Sequence, residues 1–188
     1  MLKFAALFGA SLLALLAGLA LWIDSQSTPD LAKSKLAEAA TASPGAIYSA
    51  KYVGSDGASV SLGRWSDKLL VLNFWATWCA PCKEEIPVLN DIQKRFSPKG
   101  LQIVGIAADS ALNVANFSKE IPLGYPVFAD ESGAIELSRR LGNRLGLLPF
   151  TAVVQPGGEV LWVRMGAVRA QELEEIAGKY SPKSPKLN

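Results

Sequence analysis

The sequence predicts an α/β domain in which a central mixed β-sheet is covered by helices on both faces. Strand and helix patterns alternate along most of the 188 residues, and this order is typical of a sheet buried between two helical layers. Near the end of the chain, strand patterns over 151–154 and 160–163 are separated by the turn sequence QPGG at 155–158. These strands predict an antiparallel hairpin, which makes the sheet mixed.

Two segments are predicted to precede this domain. Residues 4–23 form an uncharged run of twenty residues, which at about 1.5 Å per residue is long enough to cross a hydrocarbon core of about 30 Å. We therefore predict that residues 1–23 are a membrane anchor, or a signal sequence removed at the small residues 18–20. Residues 24–45 are predicted to be a spacer with a short helix over 29–41, and the domain that follows is expected to be exported.

The elements of the predicted domain, which spans residues 46–180, follow from hydrophobic patterns. Alternation over 47–53 and 60–62 predicts two strands joined by a turn at 55–57. Residues 69–75 read LLVLNFW, a continuous apolar run that suits a central strand buried on both faces. Further strands are predicted over 101–108 and 126–129, helices over 80–96, 112–119, 134–141 and 170–180, and a flexible polar tail over 181–188.

The two cysteines of the chain indicate its chemistry. They occupy positions 79 and 82 within the sequence WCAPC, between the central strand and the helix over 80–96. At a helix start, the unpaired backbone N–H groups and the positive end of the helix dipole favour a thiolate over a thiol. Cys79 is therefore predicted to be the attacking nucleophile. Cys82, one turn further on and buried, is predicted to resolve the mixed disulfide.

Composition excludes several other kinds of site. The chain has no histidine, which removes imidazole metal sites, Cys-His nucleophile activation and haem ligation by histidine. Its net charge is only +2, with basic and acidic residues interspersed, so we expect no nucleic-acid partner. We also expect no cofactor and no bound metal. Two alternatives remain for the cysteine pair: structural thiols in a core, or half of a zinc or copper site that a second chain completes.

Glu85 is a candidate for proton transfer during thiol exchange. It follows Cys82 by three residues, and therefore lies on the same side of the helix. A partly buried carboxylate at this position can accept or deliver a proton. The alternative is a solvated acid that simply suits the start of the helix dipole.

The sequence NFWATWCAPCKEEIP at 73–87, followed by LPFT at 148–151, resembles the thioredoxin superfamily. More narrowly, it resembles the membrane-tethered TlpA/ResA-type thiol-disulfide oxidoreductases, which include the reductants of cytochrome c maturation. The resemblance extends over 46–180 and implies a thioredoxin-like fold. It also implies that Cys79 attacks and Cys82 resolves, so that the two form a redox-active disulfide.

The resemblance assigns further site residues. The residues alone favour an ordinary turn at Leu148-Pro149, because only about 5–6% of X–Pro bonds in folded proteins are cis. The resemblance instead implies a cis Pro149 that faces the sulfurs, and a substrate segment held by Trp78, Leu148 and Pro149. Glu85 occupies the acidic site that follows the motif in this branch. Ordinary thioredoxin has a buried Asp where this chain has Asn73, which strengthens the proton role of Glu85.

The function that these observations predict is thiol-disulfide exchange on the extracytoplasmic side of a bacterial inner membrane. By resemblance, the chain reduces disulfides of client proteins, the CxxC pair of apocytochrome c being the best-known substrate of this branch. Its electrons are expected from a membrane thiol transporter. Three alternatives remain: an oxidant of folding proteins, a copper-handling module that uses the same thiols, and an adaptor that only binds partners.

Overall fold

Residues 44–53 and 59–180 are described by the computed structural model of the chain. The predicted anchor over 1–23, the spacer helix over 29–41 and the tail over 181–188 lie outside the described residues, as does the turn predicted at 55–57. Within the two described ranges, every helix is too short or too polar to cross a membrane.

Seven strands, five α-helices and two short 3₁₀ helices are found in the described residues. The strands are β1 Lys51–Val53, β2 Ser59–Ser61, β3 Leu69–Trp75, β4 Leu101–Ala107, β5 Val127–Ala129, β6 Phe150–Val154 and β7 Val160–Met165. The α-helices are α1 Pro44–Tyr48, α2 Ala80–Phe96, α3 Ala111–Glu120, α4 Gly133–Arg140 and α5 Ala170–Tyr180, and the 3₁₀ helices span Leu62–Trp65 and Ser97–Lys99.

The central sheet has five strands in the order β5-β4-β3-β6-β7. β3, β4 and β5 are parallel, whereas β6 pairs antiparallel with both β3 and β7. β1 and β2 form a separate antiparallel pair. The prediction of a mixed sheet with a C-terminal hairpin is therefore confirmed.

β3 lies at the centre of the sheet and is buried over its whole length, as predicted. Leu70, Leu72 and Phe74 face a core that includes side chains of α1, β1 and α4. Leu69 and Val71 face the opposite core, which includes side chains of α2 and α5. Because side chains alternate along a strand, two apolar layers cover this strand, and each fully buried Leu or Val contributes about 1.5–3 kcal/mol.

The structure corrects the first predicted strand. Residues 47–53 were expected to form one strand, but Pro44–Tyr48 forms α1 and only Lys51–Val53 forms β1. Proline is favoured in the first turn of a helix, where a backbone N–H has no partner. Ile47 is buried in the core, and Ala50 donates its N–H to the Ile47 carbonyl at 3.3 Å as the helix ends. One buried residue in so short a segment satisfies a helix and a strand equally well.

The second predicted strand is also shifted. It ends at Ser61 and not at Leu62, because Leu62 is the first residue of a 3₁₀ helix. The Ser61 hydroxyl accepts a hydrogen bond from the Gly63 N–H at 3.1 Å and donates one to the Tyr48 carbonyl at 2.6 Å. This capping serine therefore turns the chain and ties it to α1.

The sheet brings two distant segments together at one edge. Phe74 on β3 pairs with Phe150 on β6, and the two strands run in opposite directions. The carboxyl end of β3, which leads into α2, therefore lies beside the amino end of β6. Consequently, Leu148 packs against the apolar cluster that contains both cysteines.

Candidate active site

Cys79 and Cys82 form a disulfide at the amino end of α2. Cys79 is the N-cap residue, with extended backbone, and its carbonyl accepts a hydrogen bond from the Lys83 N–H at 3.3 Å. It retains 6% of its surface exposed, whereas Cys82 is completely buried. The predicted burial of Cys82 is thus confirmed, and Cys79 is the member of the pair that another molecule can reach.

The start of α2 supplies the electrostatic environment predicted for a thiolate. No side chain of the described residues caps this helix end, and Pro81 has no N–H. The backbone N–H groups of Ala80 and Cys82 at this helix start therefore have no capping side-chain oxygen. Free N–H groups at a helix start stabilise negative charge on a nearby sulfur.

The disulfide lies in a small apolar cluster at this edge of the sheet. Its buried neighbours include Trp75 at the end of β3 and Phe117 on α3, whose ring centroids are 5.1 Å apart. Leu148 packs against the same cluster from the loop before β6. Trp78, in contrast, is 69% exposed directly beside Cys79. The predicted substrate residues thus combine one exposed and one partly buried apolar side chain next to the sulfurs.

The Leu148–Pro149 peptide bond is cis, as the resemblance implied and the residues alone did not. The Pro149 carbonyl accepts a hydrogen bond from the Gly166 N–H at 2.8 Å. No described residue forms a hydrogen bond with the backbone N–H or carbonyl of Leu148. These two groups are therefore available to an extended segment of another chain.

The loop before Pro149 is held by a buried asparagine. Asn143 is fully buried, and its side-chain amide donates to the Leu147 carbonyl at 2.8 Å and accepts from the Leu147 N–H at 3.0 Å. The same amide donates to the Ser138 hydroxyl on α4 at 3.1 Å. The amide thus pairs with Leu147 as a neighbouring strand would, which fixes the backbone leading to Leu148.

Asp109 holds the loop between β3 and α2. Its carboxylate accepts hydrogen bonds from the Thr77 N–H at 3.1 Å and from the Thr77 hydroxyl at 2.5 Å. It also accepts from the Ser110 N–H at 2.8 Å and the Asn113 amide at 2.7 Å. Burial alone would raise the pKa of Asp109, but the hydrogen bonds, of which those from Thr77 and Asn113 are the strongest, lower it below its ordinary value.

Glu85 is buried, with only 2% of its surface exposed, so the alternative of a solvated acid is wrong. One carboxylate oxygen accepts from the Asn73 amide at 2.8 Å, and the other accepts from the Val168 N–H at 2.8 Å. Burial raises the pKa of Glu85, and the hydrogen bonds from Val168 and Asn73 oppose this rise without cancelling it. The carboxyl group is therefore easier to protonate than an exposed glutamate.

Known proteins with similar sequences show the family of this chain. Residues 45–163 match the family described as AhpC/TSA. The chain belongs to the AhpC/TSA family. It is 34% identical over 128 residues to the thiol-disulfide oxidoreductase ResA of Oceanobacillus iheyensis. The 128 residues cover 68% of this chain and 65% of that protein. ResA of Bacillus thuringiensis is 32% identical over 128 residues, which cover 68% of this chain and 72% of the relative.

A solved structure supports the same assignment. The thioredoxin-family thiol:disulfide interchange protein of Chlorobium tepidum superposes with a TM-score of 0.61 at 30% identity, covering 72% of this chain and 95% of that one. The prediction that this AhpC/TSA-family chain is a thiol-disulfide oxidoreductase with a thioredoxin-like fold is thus confirmed. The roles of the individual side chains stay predictions.

Sequence reasoning found most of the site in this family member but missed three residues. Asp109 follows β4 at the edge where the cysteines lie, and an acidic residue directly after a buried parallel strand was the available signal. Asn143 carried no comparable signal, because its partners are defined only by the folded loop. Val168 was also missed, since it contributes only a backbone N–H, 83 residues from Glu85.

Proposed function

We propose that this protein reduces disulfides of exported client proteins by dithiol exchange through Cys79 and Cys82. The observation that carries this proposal is the disulfide at the uncapped start of α2, beside a loop whose Leu148 backbone is free of hydrogen bonds within the described residues. The family assignment supports the reaction type. The resemblance of the motif over 73–87 to the reductants of cytochrome c maturation supports the direction and the CxxC pair of apocytochrome c as client.

The reaction has two exchange steps. In the reduced protein, the Cys79 thiolate attacks one sulfur of the client disulfide, and the other client sulfur leaves as a thiolate that takes up a proton. The Cys82 thiol then loses its proton and attacks the Cys79 sulfur. The client's first sulfur leaves as a thiolate, which is also protonated. The client has gained two electrons and two protons, and the protein carries the Cys79–Cys82 disulfide seen here.

Glu85 is proposed to accept the proton of Cys82 in the second step. The two residues lie one turn apart on the same side of α2, and the carboxyl group is buried with its pKa raised by burial. A carboxylate with raised proton affinity matches the basicity needed to deprotonate a buried thiol. After release of the client, the proton returns to solvent or to the incoming donor.

The client segment is proposed to bind across the edge that carries the disulfide. The free N–H and carbonyl of Leu148 pair with an extended backbone, and the exposed indole of Trp78 contacts apolar side chains beside the client cysteine. Pro149 completes this surface. Backbone pairing is largely independent of sequence, which suits a protein that meets several clients.

We further propose that residues 1–23 anchor the protein in a bacterial inner membrane, with the domain in the periplasm. A membrane thiol transporter then returns two electrons to the Cys79–Cys82 disulfide after each cycle. The uncharged run over 4–23 supports the anchor. In the described ranges, no three cysteine, aspartate or glutamate side chains form a cluster that could hold a metal ion.

Two measurements on the full chain test the proposal. Cys82→Ser retains the attacking thiol but lacks the resolving one, so client proteins are expected to stay attached as mixed disulfides. Cys79→Ser, the matched control, should capture none.

The equilibrium potential against glutathione decides the direction of electron flow. A value near that of thioredoxin, about −270 mV, supports reduction, whereas a value near about −120 mV would assign the protein to the oxidants.

A further inference from the structure

A buried hydrogen-bond network surrounds the carboxylate of Glu85. The Asn73 side chain on β3 donates through Nδ2 to Glu85 Oε1 at 2.8 Å and to Thr151 Oγ1 at 3.1 Å. Asn73 and Thr151 are opposite each other in the antiparallel β3–β6 pair, so their side chains share the face that α2 covers. All three side chains are at most 2% exposed. Water therefore does not compete for these contacts.

The network fixes which way the Asn73 amide faces. An amide nitrogen carries two hydrogens, and here one points to the carboxylate and the other to the Thr151 hydroxyl. If the amide were reversed, its oxygen would face an acceptor-only carboxylate and both hydrogens would lose their partners. The carboxylate thus selects the amide orientation in which Asn73 donates to Glu85, and the Thr151 hydroxyl supplies an acceptor for the second amide hydrogen.

We propose that Asn73 is a positioning residue for proton transfer through Glu85, and that Thr151 holds Asn73 in place by accepting its second amide hydrogen. The inference rests on the proposed role of Glu85 in the second exchange step. There, a proton passes from the Cys82 thiol to a Glu85 carboxylate oxygen, which leaves the Cys82 thiolate to attack Cys79. Asn73 stabilises the ionised carboxylate that must exist before this transfer, because the hydrogen bond that its N–H donates is stronger to a carboxylate than to a neutral acid.

Asn73 also keeps the site free of a second negative charge. An aspartate at position 73 would place a carboxylate within hydrogen-bond distance of Glu85, and two such groups cannot both be ionised near neutral pH. A neutral amide donor therefore lets one buried acid, at position 85, change its charge. The departure from the buried Asp of ordinary thioredoxin is explained by this pairing.

The hydrogen-bond network, and not other charged groups, sets the proton affinity of Glu85. β3 and β6 present the neutral Asn73 and Thr151, and the loop before α5 presents the Val168 N–H. Tyr125, in the loop before β5, is buried, and its pKa is raised by burial and then by the charge of Glu85, so it stays neutral. On β7 and α5, Arg164 donates to Glu172, which also accepts from the backbone N–H of Arg169.

The test measures the titration of the Glu85 carboxyl group directly, in reduced full-length protein labelled with ¹³C on glutamate side chains. Asn73→Ala is expected to move the midpoint upward by about one pH unit, a tenfold increase in proton affinity. Thr151→Val, which keeps the shape and removes the hydroxyl, should move it in the same direction by less. Thr151→Ser restores the hydroxyl and should return the midpoint to the wild-type value.

A matched control separates lost packing from a lost donor. Val71→Ala removes buried volume from the same strand and the same face as Asn73 without touching Glu85, so it should lower stability and leave the midpoint unchanged. The second readout is the pH profile of client release from the mixed disulfide in a single turnover. Asn73→Ala should shift this profile with the midpoint, and should cause no further shift when Glu85→Gln is already present.

The outcomes distinguish this inference from the proposed function. If Asn73→Ala and Thr151→Val lower stability but leave the Glu85 midpoint unchanged, Asn73 only fills space and the inference is overturned. If the wild-type protein reduces no disulfide, the proposed function fails. The Glu85 midpoints of Asn73→Ala and Thr151→Val still show whether the network sets the proton affinity of the carboxyl group, so the two failures are distinguishable. Should Asn73→Ala fail to fold, the Thr151→Val and Thr151→Ser pair decides by the same criterion.

Discussion

Two buried carboxylates lie near the disulfide, and their surroundings push their pKa values in opposite directions. Asp109 accepts four hydrogen bonds from Thr77, Ser110 and Asn113, and its pKa lies below the ordinary value. Glu85 accepts two, and burial keeps its pKa above the ordinary value. The balance between burial and the number of donors thus decides whether an acid at this site is a fixed anion or can exchange a proton. Asp109 holds the catalytic loop, whereas Glu85 is suited to chemistry.

The largest expected effect is on stability at the fixed anion. Asp109→Ala leaves the Thr77 N–H and hydroxyl and the Asn113 amide without their acceptor, so the free energy of unfolding should fall by about 2–3 kcal/mol. Asp91→Ala is the matched control, because Asp91 pairs with Arg95 on the exposed surface of α2, and it should change stability by less than about 0.5 kcal/mol. Urea denaturation at neutral pH measures both. Equal losses of stability in the two variants would contradict the role of Asp109 in holding the loop between β3 and α2.

The second effect is on the pH dependence of stability, where the two acids act on opposite sides. Glu85 has a raised pKa in the folded state, so stability is lost as the pH rises from about its ordinary 4.5 through the folded value. Asp109 has a lowered pKa, so stability is lost as the pH falls below about 3.8 through the folded value. Each group contributes a slope of at most about 1.4 kcal/mol per pH unit, because one proton is involved.

Substitutions should remove these slopes one at a time. Glu85→Gln is expected to flatten the loss of stability above about pH 4.5 relative to wild type, and Asp109→Asn is expected to flatten the loss below about pH 3.8. Denaturant unfolding over a pH series measures the difference from wild type, in which contributions from all other groups cancel. A Glu85→Gln curve parallel to that of wild type would contradict a raised pKa at position 85.

The smallest expected effect is on the thiols of the reduced protein. Glu85→Gln removes a negative charge one turn from Cys82, so the midpoint of thiol alkylation by iodoacetamide should move to lower pH, by roughly half a unit. Asp109→Asn should leave this midpoint in place, because Asp109 is bound to the Thr77 loop and not to α2. An unchanged profile for Glu85→Gln would remove the proton role of this residue. A shift for Asp109→Asn would mean that the two acids do not differ in their effect on the thiols.

The parts of the fold that were predicted correctly have local signals. β3 has a continuous apolar run, and α2 combines a helical stripe with cysteines and a proline at its start. α1 was missed because five residues with a single buried side chain carry too little periodicity. At the site, the spacing of Cys79 and Cys82 predicted both the helix start and the burial of the second sulfur. The cis bond at Pro149 came from resemblance, since nothing in the neighbouring residues selects that isomer.

The remainder of the site depends on contacts between residues far apart in the chain. Helical spacing placed Glu85 on the same side as Cys82, but burial was decided by α5 and its preceding loop, which supplies the Val168 N–H. Asp109 and Asn143 act through polar groups that only the folded loops bring within hydrogen-bond distance. Asn143 could not be distinguished in the sequence from an ordinary loop Asn, and the position of Asp109 after a buried strand was the only signal for that residue.

The short turn after β7 connects recognition with chemistry. Gly166 supports the Pro149 carbonyl at 2.8 Å, and Val168, two residues later, holds the Glu85 carboxylate at 2.8 Å. The hydrogen bond that supports Pro149 and the one that stabilises the Glu85 carboxylate thus come from backbone N–H groups two residues apart. We therefore expect a substitution that moves the backbone of residues 166–168 to affect both the support of the cis-proline loop and the proton affinity of Glu85.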